Sequence, residues 1–126
     1  MDLKTTFEQL FAAIDKKNLS KLESFLPNSG PISAIMCDGT IIDSIEDYKE
    51  FHDEWFEDDQ WNINHQIVAI EETPQMAYAV TEGDYFDKDE DGESYNLSLV
   101  TTCIMRKVEG KWVMIHFQQT ETQLDD

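Results

Sequence analysis

Basic side chains are scarce in this chain of 126 residues: nine in all, of which a single one, Arg106, is an arginine. Against 27 acidic residues they leave a formal charge of −18. Phosphate recognition needs Lys and Arg footprints, so nucleic acid and anionic bilayers are excluded as partners. Cysteine is nearly absent too. Cys37 and Cys103 stand far apart and match no metal spacing, which suits small buried thiols of an intracellular protein better than a disulfide. Five Gly and three Pro exclude collagen-like and low-complexity chains. No apolar run approaches a membrane span. Residues 1–17 carry acids and amphipathic spacing where a signal peptide has a basic start and an apolar run. The expectation is a soluble, cytoplasmic protein whose charge favours solubility and attracts cations.

What is present is enough for one domain, 1–126, with no internal repeat and no linker. The chain is 40% hydrophobic, with seven Phe, four Tyr and three Trp to fill a core. Phe7, Leu10, Phe11 and Ile14 follow helical spacing, with Thr5 and Glu8 as a capping box. Leu19, Leu22, Phe25 and Leu26 predict a second short helix, ended by Pro27 and Asn28-Ser29-Gly30. Ile32–Cys37 and Thr40–Asp43 read as short strands around an Asp38-Gly39 turn. Ser44 and Asp47 cap a third helix, whose Ile45, Tyr48, His52 and Trp55 form one stripe.

From Trp61 onward the period is two. Strands are expected over Trp61–Ile70, Met76–Phe86, Tyr95–Lys107 and Trp112–Gln119. Helices followed by a long-stranded meander mean α+β rather than a parallel βαβ sheet. The tip Glu109-Gly110 pairs Val108 with Lys111. Counting back then sets Met105 opposite Met114, Cys103 opposite His116, and Thr101 opposite Gln118. Paired residues share a face, so His116 and Gln118 are expected to look inward with Leu97, Leu99 and Cys103. His65 points inward by the same logic. A bulge would turn both histidines outward.

This layout resembles the nuclear transport factor 2-like, cone-shaped α+β superfamily over nearly the whole chain. Its most specific piece is Gly110-Lys111-Trp112-Val113-Met114-Ile115-His116-Phe117-Gln118. That run is similar to the Gly-Lys-Trp-x-x-Val-His-x-His ending of SnoaL-like proteins and of the calcium/calmodulin-dependent kinase association domain. Phe7–Leu26 with Ser33–Asp43 runs similarly to the steroid isomerase branch. The resemblance implies N-terminal helices packed on a curved, mainly antiparallel sheet, a conical pocket between them, and dimers through the outer sheet face. It places Asp38 where the isomerase branch has its general base. That branch's oxyanion-hole tyrosine would fall near Leu10 or Phe11 and its protonated carboxyl near Thr102 or Cys103. Without such donors an enolate loses ~3–4 kcal/mol per donor, which disfavours classical steroid isomerisation. Thr81 and Cys103 stand where the kinase association domain has pocket arginines, and Gln118 replaces the second histidine of the ending.

The candidate acid–base set is therefore His116, His65 and Asp38, since an imidazole titrates near neutrality. Tyr48, Trp61, Thr81, Cys103, Trp112 and Gln118 are the candidate pocket lining. Each has a plainer reading: core histidines held by hydrogen bonds, Asp38 as a turn residue, and the aromatics as packing. Asp87-Lys88-Asp89-Glu90-Asp91-Gly92 matches the first six positions of a calcium loop. Position twelve is Ser98, however, and the flanks read as strands, so an acidic hairpin tip is expected. Glu57-Asp58-Asp59 and Asp125-Asp126 read as solvated charge. No metal site and no cofactor are expected. On the outer face Val100, Thr102 and Ile104 are expected beside Val113, Ile115 and Phe117, an apolar patch that an interface should cover.

Two functions fit. One is a dimeric pocket protein binding a small, mostly apolar molecule, or acting on it as an isomerase, dehydratase or cyclase. The other is a noncatalytic association scaffold. A cavity with converging polar groups favours the first, and a cone plugged by Trp61, Trp112, Met105 and Met114 favours the second.

Overall fold

Asp2, not Thr5, opens the first helix. Its Oδ1 accepts the Thr5 N–H at 2.7 Å, and α1 runs Leu3–Asp15. Aspartate caps as well as threonine does, and the earlier start buries Leu3 and Thr6 beside Phe7, Leu10, Phe11 and Ile14. The computed structural model describes residues 2–122, so Asp125 and Asp126 lie outside the described residues. α1 closes on a Schellman turn: the Asn18 N–H donates to the Ala13 carbonyl at 2.8 Å and the Lys17 N–H to that of Ile14 at 3.1 Å. Lys17 takes the left-handed position at φ 54, which costs a non-glycine residue about 1 kcal/mol. Its ammonium lies 4.1 Å from the Trp61 ring centroid, a cation–π contact that offsets the strain.

Asn18 caps the short α2, Leu19–Glu23. Next come β1, Ser33–Ile35, and β2, Ile41–Ile42, joined by a turn at Asp38-Gly39. α3, Ile45–Glu57, starts at Ser44, whose Oγ accepts the Asp47 N–H at 3.1 Å. The meander follows as β3 (Asn62–Glu72), β4 (Met76–Lys88), β5 (Ser94–Val108) and β6 (Lys111–Thr122). All join one six-stranded sheet in the order β2-β1-β6-β5-β4-β3, antiparallel except where β1 runs parallel to β6. Register shifts between Ile67 and Ala69 in β3, and between Ile104 and Met105 opposite β6, are the bends that let the sheet curve around the helices. Among the described residues no helix is long and apolar enough to cross a membrane.

The second bulge overturns part of the expected register. Val108 pairs with Lys111 and Met105 with Met114, as the hairpin tip dictates. Ile115 then has no partner, so Ile104 meets His116, Cys103 meets Phe117, Thr102 meets Gln118 and Thr101 meets Gln119. The expected pairs Cys103–His116 and Thr101–Gln118 do not form. Beyond Ile115 every side chain changes face. Phe117 enters the core fully buried and Gln119 is 4% exposed, while His116 and Gln118 turn outward. Energy explains the choice. An unbulged strand would enclose an imidazole and a carboxamide and leave a phenyl ring facing water, forfeiting about 2–3 kcal/mol of apolar burial.

The outer-face patch is corrected in the same way. Phe117 lies in the core, Val113 is 5% exposed near the Pro27–Gly30 loop, and Ile115 sits half-buried at the bulge. Val100, Thr102 and Ile104 do face outward, all half-buried. Cys37 is exposed rather than buried, and both cysteines are free thiols.

Candidate functional site

The space between sheet and helices is occupied by rings. Phe11 of α1 lies 4.9 Å from His65 and 6.4 Å from Phe117 between ring centroids. Phe117 is 6.3 Å from both Tyr48 and His52, which stack on each other at 4.1 Å. Trp55 extends the chain to Trp61, stacked at 4.2 Å, and the Trp61 indole N–H donates to the Trp55 carbonyl at 2.8 Å. Tyr48, Trp61, Met105, Met114 and Cys103 are all 1% exposed or less.

The polar groups in this interior are held protonated or neutral by burial. The Tyr48 hydroxyl reaches only the Met114 sulfur, at 3.9 Å, and burial pushes its pKa well up. Burial likewise raises the Cys103 thiol. His52 donates from Nδ1 to the Tyr48 carbonyl at 3.0 Å. Among the described residues its Nε2 has no partner, and burial lowers its pKa to about 4. Thr81 donates to the Thr101 carbonyl at 3.4 Å.

His65 points inward as expected, on the sheet side of α1. Its Nδ1–H donates to Asp15 Oδ1 at 2.6 Å, the side chain is 1% exposed, and Nε2 has no partner among the described residues. Gly83 faces it from β4; a Cβ there would come within 3.3 Å of the imidazole and 3.2 Å of the Asn64 carbonyl, so the close approach depends on glycine. The pair itself lines an open cleft of about 560 Å³ together with Lys4, Glu8, Ala12, Gln66 and Ile67. Asp15 carried a signal in the sequence. It stands four residues after Phe11, at the edge of the buried stripe.

The other candidates are dispersed. Asp38 is exposed at the β1–β2 turn, where its carboxylate accepts the Thr40 N–H at 2.8 Å, and hydrogen bonds from Thr40 lower its pKa. It caps its own turn. His116 lies on the outer face, accepting the Ser33 hydroxyl at Nδ1 (2.7 Å) and donating from Nε2 to Gln118 Oε1 at 3.2 Å. No local sequence signal announces that contact, because Ser33 arrives through the parallel β1–β6 pairing. Trp112 is 8% exposed at the hairpin end, with the Lys107 ammonium 5.4 Å from its ring. Four open clefts on the surface are lined by residues other than Tyr48, His52, Cys103 and Phe117. No three carboxylate, thiol or imidazole groups among the described residues converge as metal ligands.

Residues 3–120 match the model of the SnoaL-like domain. The chain belongs to the SnoaL-like domain family. Solved structures agree with that at the level of the fold. A ketosteroid isomerase-like protein from Erwinia carotovora atroseptica superposes on this SnoaL-like domain with a TM-score of 0.80 at 9% identity, covering 97% of this chain and 95% of that one. A structure from Streptomyces avermitilis, whose name proposes an NTF2-like dehydratase, gives 0.79 at 10% identity, with 97% and 95% covered. A third, from Thiobacillus denitrificans, whose name proposes a calcium/calmodulin-dependent protein kinase type II association domain, gives 0.77 at 9% identity, with 96% and 95% covered. No curated protein matches the chain. The SnoaL-like domain thus has the helix-on-curved-sheet architecture of proteins named for chemistry and for association alike, and fold does not choose between them.

Proposed function

We propose that this SnoaL-like domain is a noncatalytic association module that pairs with a second copy through the outer face of its sheet. The observation that carries the reading is the filled cone: Tyr48, His52, Phe117, Met114 and Cys103, each 1% exposed or less, take up the volume where a ligand would sit. An acid–base catalyst needs a titratable group within hydrogen-bond reach of bound substrate. Here Tyr48, His52 and Thr81 bond to other interior groups, while the His65–Asp15 pair borders an open cleft.

The outer face supports the choice of a second copy. Two cross-strand rows run over it: Ala69, Val80, Thr102, Gln118 and Ile35, then Tyr78, Ile104, His116 and Ser33. None of the nine is an Asp, Glu, Lys or Arg, with Glu71 and Glu82 at the margins. Two copies of a chain at −18 repel over most of their surface, and this face lets them meet without setting carboxylate against carboxylate. Strands of 12 to 15 residues offer several hundred Å² there, the scale of the ~800 Å² per partner in a stable interface. The Thiobacillus structure's name also speaks of association. Sedimentation equilibrium is the test: the wild type should be a dimer, and Ile104→Glu a folded monomer. A wild-type monomer at high micromolar concentration would sink the reading.

A second reading rests on the buried His65–Asp15 pair beside its open cleft. In it, a small molecule lodges between α1 and β3, and the pair serves isomerase, dehydratase or cyclase chemistry. A ligand that protects the protein thermally, and loses that effect in Asp15→Asn, would favour it.

A further inference from the structure

No described carboxylate lies within ion-pairing distance of the single arginine. Arg106 is half-buried on the outward side of β5. Although the chain has 27 acidic residues, the one ion pair among the described residues is Asp15–His65. A guanidinium is a planar fork of donors, always charged, and its preferred mate is a carboxylate or phosphate held bidentately. Half-buried and without an acidic partner among the described residues, it is an unfilled demand for an oxyanion.

Its surroundings fit such a guest. Arg106 and Lys111 line a cleft of about 560 Å³ with Pro27, Asn28, Val108 and Val113. The guanidinium lies against the loop, since a Cβ on Gly30 would sit 3.9 Å from Nη2. Gly30 has φ +101, a conformation that strains any other residue, and its lack of a side chain keeps this approach open. Glu109 is the one acid on the rim. Lys111 also lines the neighbouring cleft with Lys21, and Lys107 lies over Trp112. Four of the nine basic residues therefore gather around the β5–β6 turn, a positive pole on a strongly negative molecule.

We infer that this cleft binds a small organic oxyanion, with its carboxylate or phosphate head on Arg106 and Lys111 and its apolar body against Pro27, Val108 and Val113. The proposal goes beyond the association reading and does not rest on it. Size follows from charge. The field of the whole chain repels an extended polyanion, while a small anion meets mainly the local cations.

The test is amide NMR of the full chain titrated with phenyl phosphate, benzoate and neutral benzyl alcohol at constant ionic strength. Saturable shifts at Ser29, Gly30 and Lys111 are expected with one anion or both, with a Kd of about 1 mM or tighter. A tighter fit for phenyl phosphate marks a phosphate head, and a tighter fit for benzoate a carboxylate. Arg106→Gln should weaken binding roughly tenfold or more, and Arg106→Lys, which keeps the charge but loses the fork, should also weaken it. Non-saturable shifts, equal response to benzyl alcohol, or an unchanged Kd in the folded Arg106 variants would overturn the site.

Discussion

The Ser33 hydroxyl donates to Nδ1 of His116 at 2.7 Å, and that bond ties the first strand to the last on the outer face of the sheet. The other ring nitrogen, Nε2, lies 3.2 Å from Gln118 Oε1 on the same face. The imidazole belongs to the surface where two copies are proposed to meet, and the ring next to it in sequence belongs to the core.

Neighbouring substitutions should therefore differ sharply. Phe117→Ala removes a fully buried ring and should cost about 3–5 kcal/mol in denaturant unfolding. His116→Ala loses a half-buried side chain and two hydrogen bonds, one part-buried and one exposed, about 1 kcal/mol. Equal costs, or the reverse order, would contradict the bulge at Ile115.

His52 should make stability depend on pH. Its pKa is about 4 in the folded protein against about 6.5 unfolded, so the unfolded chain binds the extra proton. Stability from this group is complete above pH ~6.5 and falls as the pH drops toward 4, by about 1.4 kcal/mol per unit inside that window and about 3 kcal/mol in all. Protonation of surface carboxylates relieves self-repulsion in the same range, so the clean observable is a difference. The unfolding free energy of His52→Phe minus that of the wild type should rise between pH 6.5 and 4. A flat difference would show that His52 is not buried neutral.

The Asp15–His65 pair should behave as one unit. Asp15→Ala strands a buried Nδ1–H and should cost about 1–3 kcal/mol, and His65→Phe should remove most of that penalty. A double-mutant cycle with a coupling near zero would mean that the 2.6 Å contact contributes nothing.

Calcium should not bind at the β4–β5 tip. Asp89 Oδ1 already accepts the Asp91 and Glu93 N–H groups, and Asp87 accepts from Lys88 N–H and the Tyr85 hydroxyl. These oxygens shape a hairpin. Calorimetric titration at physiological ionic strength should give no saturable heat, and a site tighter than ~100 µM would contradict this.

Most of the architecture was legible because burial periods change along the chain: helical stripes at Phe7–Ile14 and Tyr48–Trp55, then alternation from Trp61. The hairpin tip at Glu109-Gly110 fixed the pairing correctly as far as Met105–Met114. Beyond it the reading failed, because counting cannot see a bulge, and one unpaired residue turned His116, Phe117 and Gln118 together. The helix start was missed for a milder reason, since Asp2 and Thr5 are both competent caps. The site was less legible than the fold. His65 depended only on local alternation and pointed inward as expected, but its partner Asp15 comes from 50 residues away. Asp38 shows the opposite hazard: a carboxylate at a suggestive position whose hydrogen bond is spent on its own turn.

The central claim is that two copies join through the rows of Val80 and Ile104. The most direct measurement is an isotope-filtered NOE experiment on dimers mixed from methyl-labelled and unlabelled chains. Intermolecular cross-peaks from the Ile104 and Val80 methyls, with none from Leu10 or Leu22 in the core, are predicted. Cross-peaks from another surface, or a monomer with no cross-peaks, would contradict the account.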